Sequence, residues 1–170
     1  MKSLKILLIC GAIIMNNQSF ANPTNNQKLD IILTMVDDFS SMSNYSKSDL
    51  ENYFNSSFDE QCENGAFNIC YYTPIKTNAS KYTFVDKIEL RNTDKVQFLT
   101  LEFSPNFEVK DFDDILTEQN YQLFGNPHPL SNFYYQKITK NCEIGLGTKL
   151  NNTNERVIDG LGFTIDKKQL

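Results

Sequence analysis

Apolar residues recur along this chain with two different periods, and the change of period marks its elements. Cys142, Ile144, Leu146 and Leu150, then Val157, Leu161, Phe163 and Ile165, fall on alternate positions either side of the polar run Asn151-Asn152-Thr153-Asn154. Alternation around a polar turn predicts a β-hairpin with one buried face. The register that opposes Leu146 to Leu161 also opposes Ile144 to Phe163, Cys142 to Ile165 and Leu150 to Val157, so one face is apolar. On the other face Gly145 meets Gly162 and Gly147 meets Gly160. Glycine inside a strand forgoes packing and costs backbone entropy, so four together mark a close approach to the backbone or a bend in the sheet.

The hairpin has an upstream counterpart. Leu90–Phe103 and Leu150–Phe163 match at Leu, Asn, Thr, Leu and Phe with one constant offset. The corresponding register opposes Ile88 to Leu99 and Phe84 to Phe103. In each half an acidic helix start, Ser48–Glu51 or Asp111–Asp114, precedes a Tyr-Tyr pair, Tyr71-Tyr72 or Tyr134-Tyr135, by nearly the same distance. Such self-similarity predicts two tandem α-β-β-β units. A stripe at Leu29, Ile32, Leu33, Val36 and Phe39 has helical spacing and predicts an amphipathic helix over 27–42. Ser48 with Glu51 forms a capping box for a short helix ending at Tyr53 or Phe54. Further strands are expected over 67–73, 82–91, 95–103 and 133–140, a helix over 111–118, and a break at Pro105. The expected fold class is α+β, an antiparallel sheet with helices packed on one face. The expected organisation is an export signal over 1–21, an N-terminal helix over 22–45, and repeat units over 46–107 and 108–170.

The signal rests on a basic start (Lys2, Lys5), the apolar run Ile6–Met15, and a polar end closing in Ser19-Phe20-Ala21. The apolar run is too short to span a bilayer. Losing Lys2 and Lys5 takes the formal net charge from -5 to -7. An acidic surface repels nucleic acid and favours a cationic partner through long-range steering. Without Cys10, three cysteines remain; Cys62 and Cys70 flank a short polar loop with a glycine and are expected to form a disulfide. Cys142 is then a free thiol on the core face of its hairpin.

Candidate chemistry is sparse. The one histidine, His128, lies between Pro127 and Pro129, and pairing it with Cys142 as a nucleophile would need an exposed thiol of lowered pKa. Asp111, Asp113 and Asp114 fail the EF-hand pattern, with no glycine at its sixth place and no glutamate at its twelfth. No phosphate-loop, zinc-protease or dinucleotide motif occurs. No catalytic residue, metal or cofactor is therefore expected. What remains is the sheet face opposite the core, with Thr83, Val85, Lys87, Glu89 and Arg91 beside Val96, Phe98, Thr100 and Glu102, and a second ribbon carrying the glycines. The candidate partner-binding residues are Tyr72, Lys87, Glu89, Arg91, Phe98, Thr100, Tyr134, Lys149, Ile158 and Gly160, a mixture of aromatic anchors and charges that suits protein recognition.

Leu116–Tyr135, with Phe124-Gly125-Asn126-Pro127 after a helix and Tyr134-Tyr135 in the next strand, resembles the β-lactamase-inhibitor-protein architecture and the related BamE-like (SmpA/OmlA) envelope modules. The likeness covers the last third of the chain; the first half has no G-x-P. The resemblance implies a non-enzymatic binder whose open sheet face grips another protein. The expected function is a periplasmic or secreted protein-binding module, an inhibitor or immunity-type protein acting on an exported toxin or cell-wall hydrolase. The alternatives are an envelope assembly protein of the outer membrane and a small secreted hydrolase.

Overall fold

The computed structural model describes residues 23–65, 68–75, 81–108, 112–124, 133–140, 142–150, 152 and 156–167. The predicted signal over 1–21, His128, Asp111 and the Gly125-Asn126-Pro127 motif lie outside them. In chain order the elements are α1 (Asn25–Ser41), α2 (Lys47–Phe54), β1 (Phe58–Asn64), β2 (Asn68–Pro74), β3 (Val85–Asn92), β4 (Val96–Glu108), α3 (Phe112–Glu118), β5 (Gln122–Phe124), β6 (Phe133–Ile138), β7 (Glu143–Leu150) and β8 (Arg156–Asp166). The strands form one open, wholly antiparallel sheet in the order β1-β2-β3-β4-β8-β7-β6-β5.

Helices α1 and α2 begin where the sequence can satisfy free backbone N–H groups. Thr24 caps α1 in a reciprocal box with Gln27. The box at α2 is made by Ser46 and Asp49, two residues before the expected Ser48–Glu51 pair. The α1 stripe buries Leu29, Ile32, Met35, Val36 and Phe39, and the Phe39 ring meets Phe163 of β8 at 5.4 Å. Leu50 and Phe54 of α2 join the same cluster. Burying a side chain of this size contributes about 1.5–3 kcal/mol, so the stripe, rather than helical propensity, holds α1 in place.

The connection between α1 and α2 is tied to the sheet by one buried amide. Gln97 of β4 accepts from the Tyr45 backbone N–H at 2.7 Å and donates to the Tyr45 carbonyl at 2.9 Å. Its Nε2 also donates to Asn92 Oδ1 at 2.6 Å, so the buried amide is fully occupied. The Tyr45 hydroxyl donates to the Phe39 carbonyl at 3.0 Å near the end of α1.

The second hairpin pairs as expected at Ile144–Phe163, Gly145–Gly162, Leu146–Leu161 and Gly147–Gly160. A bulge at Asp159 then slips the ladder, so Lys149 rather than Leu150 opposes Val157. The ladder begins at Glu143, leaving Cys142 buried just outside it. In the first hairpin Leu90 opposes Leu99 and Ile88 opposes Leu101, two residues from the expected register. A shift of two keeps every side chain on its face, whereas a shift of one would have exchanged them. A second irregularity, between Val85 and Lys87, opposes Val85 rather than Phe84 to Phe103 and buries Val85, expected on the outer face. β4 does not stop at Pro105; it continues to Glu108, with the register shift between Glu102 and Phe107 accommodating the proline.

Candidate functional site

Because side chains alternate across a strand, the antiparallel register sorts the side chains facing away from the core into rows that cross the sheet. One row runs Gln61, Tyr71, Glu89, Thr100, Gly162, Gly145, Gln136 and Gln122, one residue from each strand. At its centre Thr100, Gly162 and Gly145 leave three adjacent strands with nothing larger than a threonine. The neighbouring row carries Glu63, Ile69, Arg91, Phe98, Thr164, Glu143 and Ile138. Phe98 is 38 % and Ile138 75 % exposed, so two large apolar side chains stand beside the glycine floor. With strands about 4.8 Å apart, three strand spacings place them roughly 14 Å from one another.

The glycines have different reasons to be there. A Cβ at Gly160 would lie 2.9 Å from the Leu101 carbonyl oxygen of β4, and one at Gly147 would lie 2.7 Å from the Asp159 carboxylate. Gly160 is reserved by backbone, whereas the atom beside Gly147 is the end of a side chain that can turn away. At Gly162 the nearest atoms to a Cβ are carbonyl oxygens at 3.8 and 3.9 Å, ordinary contact distances, so the flat floor there is not required by packing.

Charges rim this floor. The Arg91 guanidinium donates to Glu89 at 2.7 Å, while its buried Nε has no partner among the described residues. Lys87 stands 3.8 Å from Glu102 and 4.3 Å from the Tyr71 ring centroid. Asp59, Gln61, Glu63, Tyr71, Thr73 and Lys87 line a cavity of about 410 Å³ on the β1 side. Lys149 is 4.0 Å from Asp159 at the bulge, where burial raises the Asp159 carboxyl above the usual carboxylate range, against the pull of Lys149.

Of the residues singled out from sequence, Lys87, Glu89, Arg91, Phe98, Thr100, Lys149 and Gly160 retain exposed or half-exposed surface. Tyr72 and Ile158 do not. Tyr72 is buried with its ring 6.0 Å from Phe58, because the residue on the other face of β2 is Tyr71. Ile158 is turned into the core by the bulge at Asp159. Tyr134 is the register partner of Gly147. Tyr71 and Ile138 were missed from sequence; parity with the apolar positions Ile88 and Leu90 of β3 identifies Tyr71 once the pairing is known.

The geometry bears on two chemical possibilities. Cys62 and Cys70 are direct cross-strand partners joined by a disulfide, and Glu60 beside them completes the one group of potential metal ligands among the described residues. Cysteines joined to one another are not thiolate ligands. Cys142 is free and buried, its Sγ 4.0 Å from the Tyr45 hydroxyl, and burial raises its thiol pKa, the reverse of what a nucleophile needs.

No helix among the described residues is long and apolar enough to cross a membrane. No protein-family model, curated protein or solved structure matches the chain.

Proposed function

We propose that this chain is an exported protein-binding module, an inhibitor or immunity-type protein that neutralises an exported toxin or cell-wall hydrolase by laying the glycine-floored sheet face over its active site. The observation that carries the reading is the central row Thr100–Gly162–Gly145, a flat strip of backbone beside the exposed Phe98 and Ile138. A few apolar anchors around a surface that admits close approach are what a protein interface needs, since such anchors supply most of its binding energy. Asp59, Glu63, Glu102 and Glu143 are exposed around the strip and favour a cationic partner.

In the same reading the two halves are internal repeats. The strand order runs β1 to β4 and then back from β8 to β5, with α2 preceding one half and α3 the other. The sequence match that equates Leu101 with Leu161 concerns two residues that are also Cα partners across β4 and β8. Equivalent residues facing each other are what a twofold axis through the middle of the sheet requires. Each half then holds four strands after its helix, one more than expected, because β1 and β5 add to the predicted three.

Retention of exported proteins from the native organism on the immobilised chain tests the function. The expected result is a basic enzyme that is released by salt and loses activity at an equimolar amount of this protein. Retention only of membrane-embedded assembly proteins, with no effect on any exported enzyme, would overturn it.

A further inference from the structure

We propose that β1 is a docking edge for an extended segment of a partner that carries lysine or arginine four residues apart and adds to the sheet as a further strand. The two ends of the sheet differ. β5 closes one end with three residues, and a short edge strand is one way of preventing further pairing. β1, at the other end, is seven residues long, has no proline, and pairs with β2 at every residue without a bulge. No described strand pairs with its outer edge. The Cys62–Cys70 disulfide fastens it to β2, so the edge is ordered before a partner arrives.

The backbone groups open to a partner can be named. In an antiparallel ladder, opposed residues alternate between pairs that exchange both backbone bonds and pairs that exchange none. The Ile75 N–H donates to the Ser57 carbonyl at 3.0 Å, which makes that a bonded pair and the next one, Phe58 with Pro74, an unbonded pair. Two observations agree: Pro74 has no N–H to give, and the Phe58 N–H turns away from β2 to the Glu51 carboxylate at 3.1 Å. By the same alternation Glu60 and Cys62 direct their N–H and C=O groups outward, where an added strand would pair with them. The side chains of Asp59 and Glu63 are exposed and face the side away from the core, about 13 Å apart along the strand. On that face β1 to β4 carry Asp59, Glu63, Glu89 and Glu102 against Lys87 and Arg91, four carboxylates against two cations, and both cations are already in ion pairs. Two negative charges are left, and Asp59 and Glu63 line the cavity of about 410 Å³ that gives a long cationic side chain room. A second copy of this chain is a poor occupant, because two β1 strands side by side bring together two sets of Asp59, Glu60 and Glu63. The edge lies four strands from Gly162, so the inference stands or falls apart from the glycine-floored face.

The test is an NMR titration of the purified, oxidised protein with the end-capped peptide Thr-Lys-Val-Thr-Val-Lys-Thr, which in an antiparallel pairing sets its lysines opposite Glu63 and Asp59 and its valines opposite Cys62 and Glu60. Saturable shifts and slowed exchange at the Glu60 and Cys62 amides are expected at about millimolar peptide, weakening with salt. The same peptide N-methylated at both valines keeps its charge and loses the donors that face β1, so its affinity should fall about tenfold or more. A peptide with glutamate in place of both lysines should not bind. Asp59→Asn and Glu63→Gln should each weaken binding about twofold or more without moving the melting temperature, and Glu118→Gln, the same loss of charge on the exposed surface of α3, should leave it unchanged. N-methylated or glutamate peptide binding as well as the parent peptide, shifts away from β1, or self-association of the protein through the Glu60 and Cys62 amides would overturn the proposal.

Discussion

Three glycines of one sheet face make different demands at the scale of single residues. A methyl group at Gly160 meets the Leu101 carbonyl at 2.9 Å, and backbone held between β4 and β7 cannot step aside cheaply. Gly160→Ala should therefore cost about 1–3 kcal/mol, measured by denaturant unfolding, while Gly162→Ala stays within about 1 kcal/mol of the parent. Asp159 gives a pH test. Its pKa is raised in the folded protein by burial, so the folded state holds the proton more tightly than the unfolded one and this carboxyl's contribution to stability falls as pH rises. Asp159→Asn should be at least as stable as the parent at pH 7, and its advantage should shrink as pH is lowered through the carboxylate range; melting curves across that range check the sign. Cys142 should be unreactive toward a thiol reagent in the native protein and react on unfolding, because burial raises its pKa and hides the sulfur.

At the scale of elements, the Gln97 amide connects two parts of the chain 52 residues apart. Gln97→Leu keeps the volume but leaves the Tyr45 N–H and C=O without their partners, each costing about 1–3 kcal/mol if it stays buried. A loss of that order in unfolding free energy is expected, together with faster amide exchange at Tyr45. The elements with strong periodicity were legible in the sequence: the α1 stripe, the β3–β4 and β7–β8 ribbons, and the glycine row Gly145–Gly162 all follow from spacing alone. β1 was not, because Asp59-Glu60-Gln61-Cys62-Glu63 has no apolar alternation; edge strands carry charge on their open side and so read as loop. β5 is three residues long and offers no period at all. The bulge at Asp159 was equally invisible, and it is what moved Ile158 from the expected outer face into the core. Tyr72 and Tyr71 are adjacent and chemically identical, so only the partner strand decides which one faces out.

For the whole molecule, an open sheet with α1 against β7 and β8 leaves the glycine row on the side away from that helix. Acidic and basic side chains, with the exposed Phe98 and Ile138, line that side. The most direct test of the account places a bulky cation on the floor where packing leaves room for it. Gly162→Arg should fold with a melting temperature close to the parent yet lose capture of the cationic partner proposed above, as Phe98→Ala should in part, whereas Ile75→Ala, an exposed apolar residue at the end of β2, should bind normally. If Gly162→Arg captures that partner as well as the parent does, the glycine-floored face is not the binding surface.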